Sequence, residues 1–290
     1  MWGKTTGGTP EPGNIVDSGG FLSGYPSGQP TFTRRDFLGL DVVDAPSLDE
    51  VFDRLLARQW RDEPERLPIV VTPNVDIVVQ LEAIGPHPLR RQFVQGWCVL
   101  PDGQPLIMLS RLCGVPLQAR LCGSTLIERL WPRLAADGEP LVAFAGNENV
   151  AQGLRARHPD AEVIVPPEFS DEEDGEVRAF AEKALERLDC ERIDFVTVGI
   201  GFPASSLLVD CLLESWPSGS GQPVFLGVGG AFEMYLGMKR RAPALVQEIG
   251  MEWFFRFVQE PRRLYRRYFL RDPRFLVIGY REWSRLRRAV

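Results

Sequence analysis

The chain has 290 residues, 44% of them hydrophobic and 25% charged, with a formal net charge of -6, which suits a soluble globular protein and excludes disorder throughout. Its five cysteines, Cys98, Cys113, Cys122, Cys190 and Cys211, are odd in number and widely spaced without C-x-x-C, which argues against a disulfide framework or a zinc ribbon and for reduced thiols in a cytoplasm. The two histidines, His87 and His158, read as surface residues and supply neither a Ser-His-Asp triad nor a multi-histidine metal site.

Residues 1–36, with "TTGGTPEPGN" and "SGYPSGQP", are too poor in apolar side chains to offset the entropy of ordering and read as a flexible arm. No charged-then-apolar leader is seen, and no run approaches the ~18 apolar residues of a spanning helix, so membrane contact is expected to be peripheral. "FLGLDVVDA" predicts a short strand, and Ser47 then caps a helix over "LDEVFDRLLARQW". The strand-then-helix unit repeats. "LPIVVTPN" leads to "VDIVVQLEAI", "WCVLPDG" leads to "LIMLSRLCG", and "LVAFAGN" leads to a helix from about Val150. "AEVIVPP" precedes the helix "AFAEKALERLD", and "IDFVTVGIGFP" and "PVFLGVGGAF" are strands entering glycine-rich turns. Strands apolar on both faces, alternating with amphipathic helices, predict a mostly parallel sheet covered on both sides.

Ligands of such sheets bind beyond the carboxyl ends of the strands, so the turns "TPN", "PDG", "AGNEN", "GIGFP" and "GVGG" are the places to search. A Walker phosphate loop is absent and "GVGGAF" lacks the full dinucleotide pattern. Asp102 ends the "WCVL" strand in a position to project into a crevice, or serves only as an Asx-type turn residue. The glycines of "GVGG" and "GIGFP" either allow close approach to a diphosphate or simply turn the chain. "AGNEN" either offers amides to a sugar or uracil or caps the following helix.

From Lys239 to Val290 there are 14 basic and 5 acidic residues, so an electropositive tail closes an otherwise acidic chain. On a helix at about 100° per residue, Arg263, Arg266, Arg267 and Arg271 share one face of "PRRLYRRYFLR", back to back with Leu264, Tyr265, Tyr268 and Phe269. Three readings stand: a solvated basic helix packed by its aromatics, a helix lying on anionic lipid, or an arginine clamp for phosphate. The acidic remainder and the lack of a recognition module speak against nucleic acid.

Several segments together resemble the WecG/TagA/CpsF-type bacterial glycosyltransferases. They are "VTPNVDIV", "VLPDGQPLIMLSRLCGVPLQARLCGSTLIERL", "VTVGIGFP" and "GVGGAFEMYLGMKRRAPALVQEIGMEWFFRFVQEPRRLYRRYF", in the family's order over residues 37–270. The resemblance implies inverting, metal-independent transfer of a sugar from a UDP donor to a polyprenyl-diphosphate-linked saccharide at the cytoplasmic face of the membrane, with no cofactor. It places the general base on Asp102, and Thr72 and Asn74 beside it to orient sugar or carboxylate. It gives Arg120, Arg256, Arg263 and Arg266 to binding the diphosphate or completing the active site, with Gly199, Gly201, Ser205, Gly227, Gly229 and Glu233 as further substrate-binding candidates.

Two departures stand out. Ala204, Ser205 and Ser206 replace the family's Lys-Gln-Glu, and Pro105 replaces a glycine after "PDG". They leave the donor sugar open and keep a second reading alive, a non-catalytic relative that binds the lipid-linked saccharide as an assembly factor. The expected architecture is α/β: an arm over 1–36, a Rossmann-like glycosyltransferase core over 37–240, and a basic helical appendage over 241–290 acting as lid and contact to anionic membrane. Self-association is left open.

Overall fold

The computed structural model describes residues 32–169, 174–239, 242–243, 246 and 252–288. Six strands form its sheet: β3 (Leu67–Val71), β4 (Gly96–Val99), β5 (Val142–Ala145), β6 (Glu162–Ile164), β7 (Phe195–Gly199) and β8 (Val224–Gly227). Their spatial order is β4-β3-β8-β7-β5-β6, and every neighbouring pair is parallel.

The sheet is buried on both faces because the strands are apolar at successive positions, which point to opposite sides. Val70, Ala143, Phe195, Val224 and Leu226 enter one core with α1 (Asp49–Leu56), α5 (Gly123–Ala136) and α6 (Glu148–Arg157). Ile69, Val71, Phe144, Val198 and Phe225 enter the other with α2 (Val75–Ile84), α4 (Gln104–Leu112), α7 (Asp174–Leu185) and α8 (Ala204–Ser215). All five cysteines are buried within these layers.

"FLGLDVVDA" is not one strand of this sheet. It contributes to a separate hairpin of β1 (Arg34–Phe37) and β2 (Leu40–Val43), so residues 34–36, read as part of the arm, are already a strand. The turn lies at Leu38 and Gly39, both left-handed with φ of 59° and 67°. Leu-Gly lacks the Asn-Gly or Asp-Gly signature of such turns, so the bend was hidden in the sequence. Arg34 donates to the Trp97 carbonyl (2.6 Å) and so occupies part of the open edge at β4. Ser47 lies one residue before the assigned cap of α1, and its Oγ accepts from the Asp49 amide at 3.2 Å.

α3 (Arg91–Val94) leads through Gln95 into β4, the strand that precedes the turn holding Asp102. A Cβ on Gly96 would lie 2.3 Å from the Gln92 carbonyl oxygen, and Gln92 is itself locked by donating to Ser206 O and Asp210 Oδ1, both at 2.7 Å. Gly96→Ala must therefore displace backbone, and urea unfolding is expected to show a loss of about 2–3 kcal/mol. An unchanged midpoint would contradict this packing.

Candidate active site

Beyond β4 the chain turns through Pro101, Asp102 and Gly103. Three backbone hydrogen bonds hold this turn: Leu100 N to Val71 O (2.8 Å), Asp102 N to Pro73 O (2.9 Å) and Leu121 N to Pro101 O (3.0 Å). Gly103 takes φ of 126°, which a side chain would resist, and α4 starts one residue later. Pro105 falls in the first turn of α4, where its missing N–H costs nothing, so this departure leaves the turn intact. Asp102 is thereby fixed at the carboxyl edge of the sheet, against the exit turn of β3.

Thr72 in that exit turn is buried, and its hydroxyl donates to Gly227 O at 3.4 Å. It packs beneath Gly123 at the start of α5, where a Cβ would meet Thr72 Cγ2 at 2.9 Å. Asn74 caps α2, its Oδ1 accepting from Ile77 N at 3.2 Å, so one of its polar atoms has a structural partner. Asn147 of "AGNEN" likewise caps α6 through Val150 N at 3.0 Å, which starts that helix at Glu148 rather than at Val150.

The tail approaches from the other side. α10 (Glu252–Gln259) is followed by α11 (Pro261–Tyr265), a π-helical turn over Arg266–Arg271, and α12 (Arg274–Arg288). In the π turn Asp272 N bonds Arg267 O at 2.8 Å, a span of five residues that widens the turn and rotates later side chains off the regular helical face. The predicted separation of basic and aromatic faces therefore fails here: half-buried Arg267 and Tyr268 both line one cleft with Thr72 and Asp102, whereas Tyr265 and Phe269 are exposed.

A cleft of about 200 Å³ brings together Thr72, Asn74, Asp102, Ser205, the Gly227–Gly229 turn and Arg256. A second cavity of about 470 Å³ adjoins it, walled by Pro105, Arg120, Phe269, Phe275 and Leu276. Asn74, Asp102, Arg256, Arg267 and Tyr268 line both. Asp102 thus stands on the divide between a glycine-turned cleft and a largely apolar one.

Other candidates lie elsewhere. Gly199 is absent from the cleft lining, and a Cβ there would strike the Phe232 ring at 2.5 Å, so its bareness serves packing. Gly201 is exposed beside the cleft without lining it. Glu233 also stays outside the lining, but its Oε1 accepts from Lys239 Nζ at 3.0 Å, and Lys239 does line the cleft. Arg266 sits on a surface depression with Arg267, Leu270, Arg271 and Arg274, and the Arg263 side chain lies outside the described residues. Of the three residues replacing Lys-Gln-Glu, Ser205 alone lines the cleft. Lys239 was missed by the sequence reading, because nothing in "GMKRR" separates a cleft lysine from a solvated one, and Arg267 was read only as one member of the tail's basic face.

His87 caps a 3-10 turn through Leu89 N at 3.2 Å. His158 is half-buried rather than superficial, with Nε2 2.7 Å from the Tyr235 hydroxyl.

Beside the divide, Asp76 in the first turn of α2 pairs with Arg271 and lies 3.5 Å from Arg267 Nε. Asp272 completes the cluster, 3.7 Å from Arg267 Nε. Burial above all, with repulsion from Asp76, raises the Asp272 carboxyl to about 6 against the attraction of Arg267 and Arg271. A raised carboxyl binds its proton more tightly in the folded chain, so its share of stability is complete below the ordinary value of 3.8 and is lost as pH rises through about 6. The melting temperature of Asp272→Asn minus that of the native chain is expected to increase between about pH 4 and pH 7. A flat or falling difference would contradict the assignment.

The family described as Glycosyl transferase WecG/TagA/CpsF family matches residues 35–289. The protein of Bacillus spizizenii named N-acetylglucosaminyldiphosphoundecaprenol N-acetyl-beta-D-mannosaminyltransferase is 31% identical over 172 residues, which cover 57% of this chain and 62% of that protein. The chain therefore spans less than two thirds of the length of this relative.

Proposed function

Because this chain belongs to the WecG/TagA/CpsF family of glycosyl transferases, we propose that it moves a sugar from a UDP donor to a polyprenyl-diphosphate-linked saccharide in cell-envelope polysaccharide synthesis. The observation that carries this reading is the place of Asp102 on the wall common to two cavities of different character. A transferase needs its base between donor and acceptor, and both spaces are available here.

The donor's diphosphate lies in the smaller cleft, against the bare backbone of Gly227–Gly230 and the cations Lys239 and Arg256. The acceptor enters through the apolar cavity, its diphosphate near Arg120 and its prenyl chain along Phe275 and Leu276. Asp102 takes the proton of the acceptor hydroxyl as the oxygen attacks the anomeric carbon. The bond from that carbon to the diphosphate breaks on the opposite face, UDP departs with the electron pair, and the configuration inverts. Fixed guanidinium groups stabilise the charge that grows on the leaving group, so the step proceeds without a metal ion.

The relative's name makes N-acetylmannosamine the first donor to try, on an N-acetylglucosaminyl diphosphate lipid. With that pair, or another UDP-sugar from a panel, transfer is expected to persist in excess EDTA. Asp102→Asn is expected to lower kcat by about 10²–10⁴-fold with little change in UDP binding. Full turnover by Asp102→Asn would remove the proposed base, and abolition of transfer by EDTA would remove metal independence.

The membrane surface enters the same proposal. No helix of the described residues is long and apolar enough to cross a membrane, yet Leu270, Leu276, Val277 and Tyr280 are exposed among arginines of the tail. Such a face suits a helix lying on anionic lipid. Val277→Glu with Tyr280→Glu is expected to reduce sedimentation with phosphatidylglycerol vesicles about tenfold or more, with turnover of a water-soluble short-chain acceptor retained. Undiminished vesicle binding would place the contact elsewhere.

A further inference from the structure

We propose that Asp76 is a positioning residue that, with Asp272, holds Arg267 on the wall shared by the two cavities, where its guanidinium grips a substrate diphosphate. The inference rests on the transferase reading and adds to it a cation and its holder.

Asp76 is well placed to be a fixed anchor. It stands two residues after Asn74, in the first turn of the helix that Asn74 caps, where the helix dipole favours a carboxylate. The same loop supplies Pro73 O, which accepts from Asp102 N at 2.9 Å. The anchor of the arginine and the anchor of the base are therefore parts of one rigid turn. A displacement of the tail relative to Asp76 is equally a displacement relative to Asp102.

The ion pairs of Arg267 leave its working end unused by them. Its approaches to Asp76 Oδ2 (3.5 Å) and to Asp272 Oδ2 (3.7 Å) both run through Nε. Nη1 and Nη2, the two nitrogens that grip phosphate oxygens side by side, remain for a ligand. Cζ lies 5.7 Å from the centre of the Tyr268 ring, so an aromatic face supports the guanidinium plane. Asp76 and Asp272 side chains are 13% and 11% exposed, and in so dry a setting their charges require the tail cations, which gives the cluster a defined geometry. Arg271 takes the other oxygen of Asp76 and keeps Asp76 from swinging away.

Two diphosphates are candidates, that of the donor nucleotide and that of the prenyl acceptor, since Arg267 lines both cavities. The distinction is experimental. Asp76→Asn, Arg267→Ala and the double variant of the full chain are titrated calorimetrically with UDP in one arm and with a short-chain prenyl diphosphate in the other, and the melting temperature of each variant is recorded. Each single change is expected to weaken binding about tenfold or more in at least one arm. The double variant is expected to bind no more weakly than Arg267→Ala alone, because Asp76 acts through the arginine.

Weakening confined to UDP assigns Arg267 to the donor, and weakening confined to the prenyl diphosphate assigns it to the acceptor. Multiplying losses, losses that merely follow melting temperature, or undiminished binding in both arms would overturn the proposal. Asp76→Glu, which restores the charge, is expected to recover part of the lost affinity; no recovery combined with additive losses would mark Asp76 as purely structural. Failure of the native chain to transfer sugar from any UDP donor would count against the transferase reading alone, since the binding cycle does not depend on turnover.

Discussion

The carboxylate proposed as the base can act on an incoming hydroxyl only where the chain holds it still, and the restraint on Asp102 is the hydrogen bond from its N to Pro73 O. It joins the exit turns of β4 and β3, neighbouring parallel strands whose register is itself fixed by a sheet buried on both faces. The core thus determines more than stability. It sets the height at which Asp102 leaves the sheet, with Thr72, Gly123 and the Gly227 turn beside it. Because these groups come from separate segments of the chain, the site exists only when the layers are assembled.

The uneven charge of the sequence follows the same geometry. The sheet edge offers backbone amides, hydroxyls and a carboxylate, and apart from Arg120 the cations come from the segment after α9 (Ala231–Tyr235). Lys239, Arg256 and Arg267 reach the cleft from that segment, Lys239 restrained by Glu233 and Arg267 by Asp76 and Asp272. Cations held by partly buried carboxylates keep one geometry, whereas freely solvated arginines would lose side-chain entropy on each binding event. On the outer side of the tail, the exposed apolar residues and the remaining arginines form the face proposed to lie on lipid.

Strands buried on both faces, alternating with amphipathic helices, were legible because their apolar runs are short and bounded by turn residues. The cleft at their carboxyl ends followed from the same pattern, and Asp102, Thr72, Ser205 and the Gly227–Gly229 turn do converge there. The Leu38–Gly39 hairpin was not legible, since its left-handed conformation is imposed by packing and by the Glu282 contact to Leu38 N at 2.9 Å from the far end of the chain. Nor was the π turn, whose five-residue hydrogen bond departs from the constant 100° per residue that put Arg266 and Arg267 on one face; Arg267 lines the cleft and Arg266 does not. Gly199, where ligand approach and chain turning were both open readings, makes room for Phe232, a tertiary contact that no local pattern reveals.

The central claim is that donor and acceptor meet across Asp102, with the nucleotide on the glycine-turn side. A crystal structure of the full chain with UDP bound tests it most directly. The expected result places the diphosphate against Gly227–Gly230 within hydrogen-bond distance of Arg256 or Arg267, leaving the cavity beside Phe275 and Leu276 open. UDP seated in that apolar cavity, or a diphosphate remote from Asp102 and from the tail arginines, would contradict it.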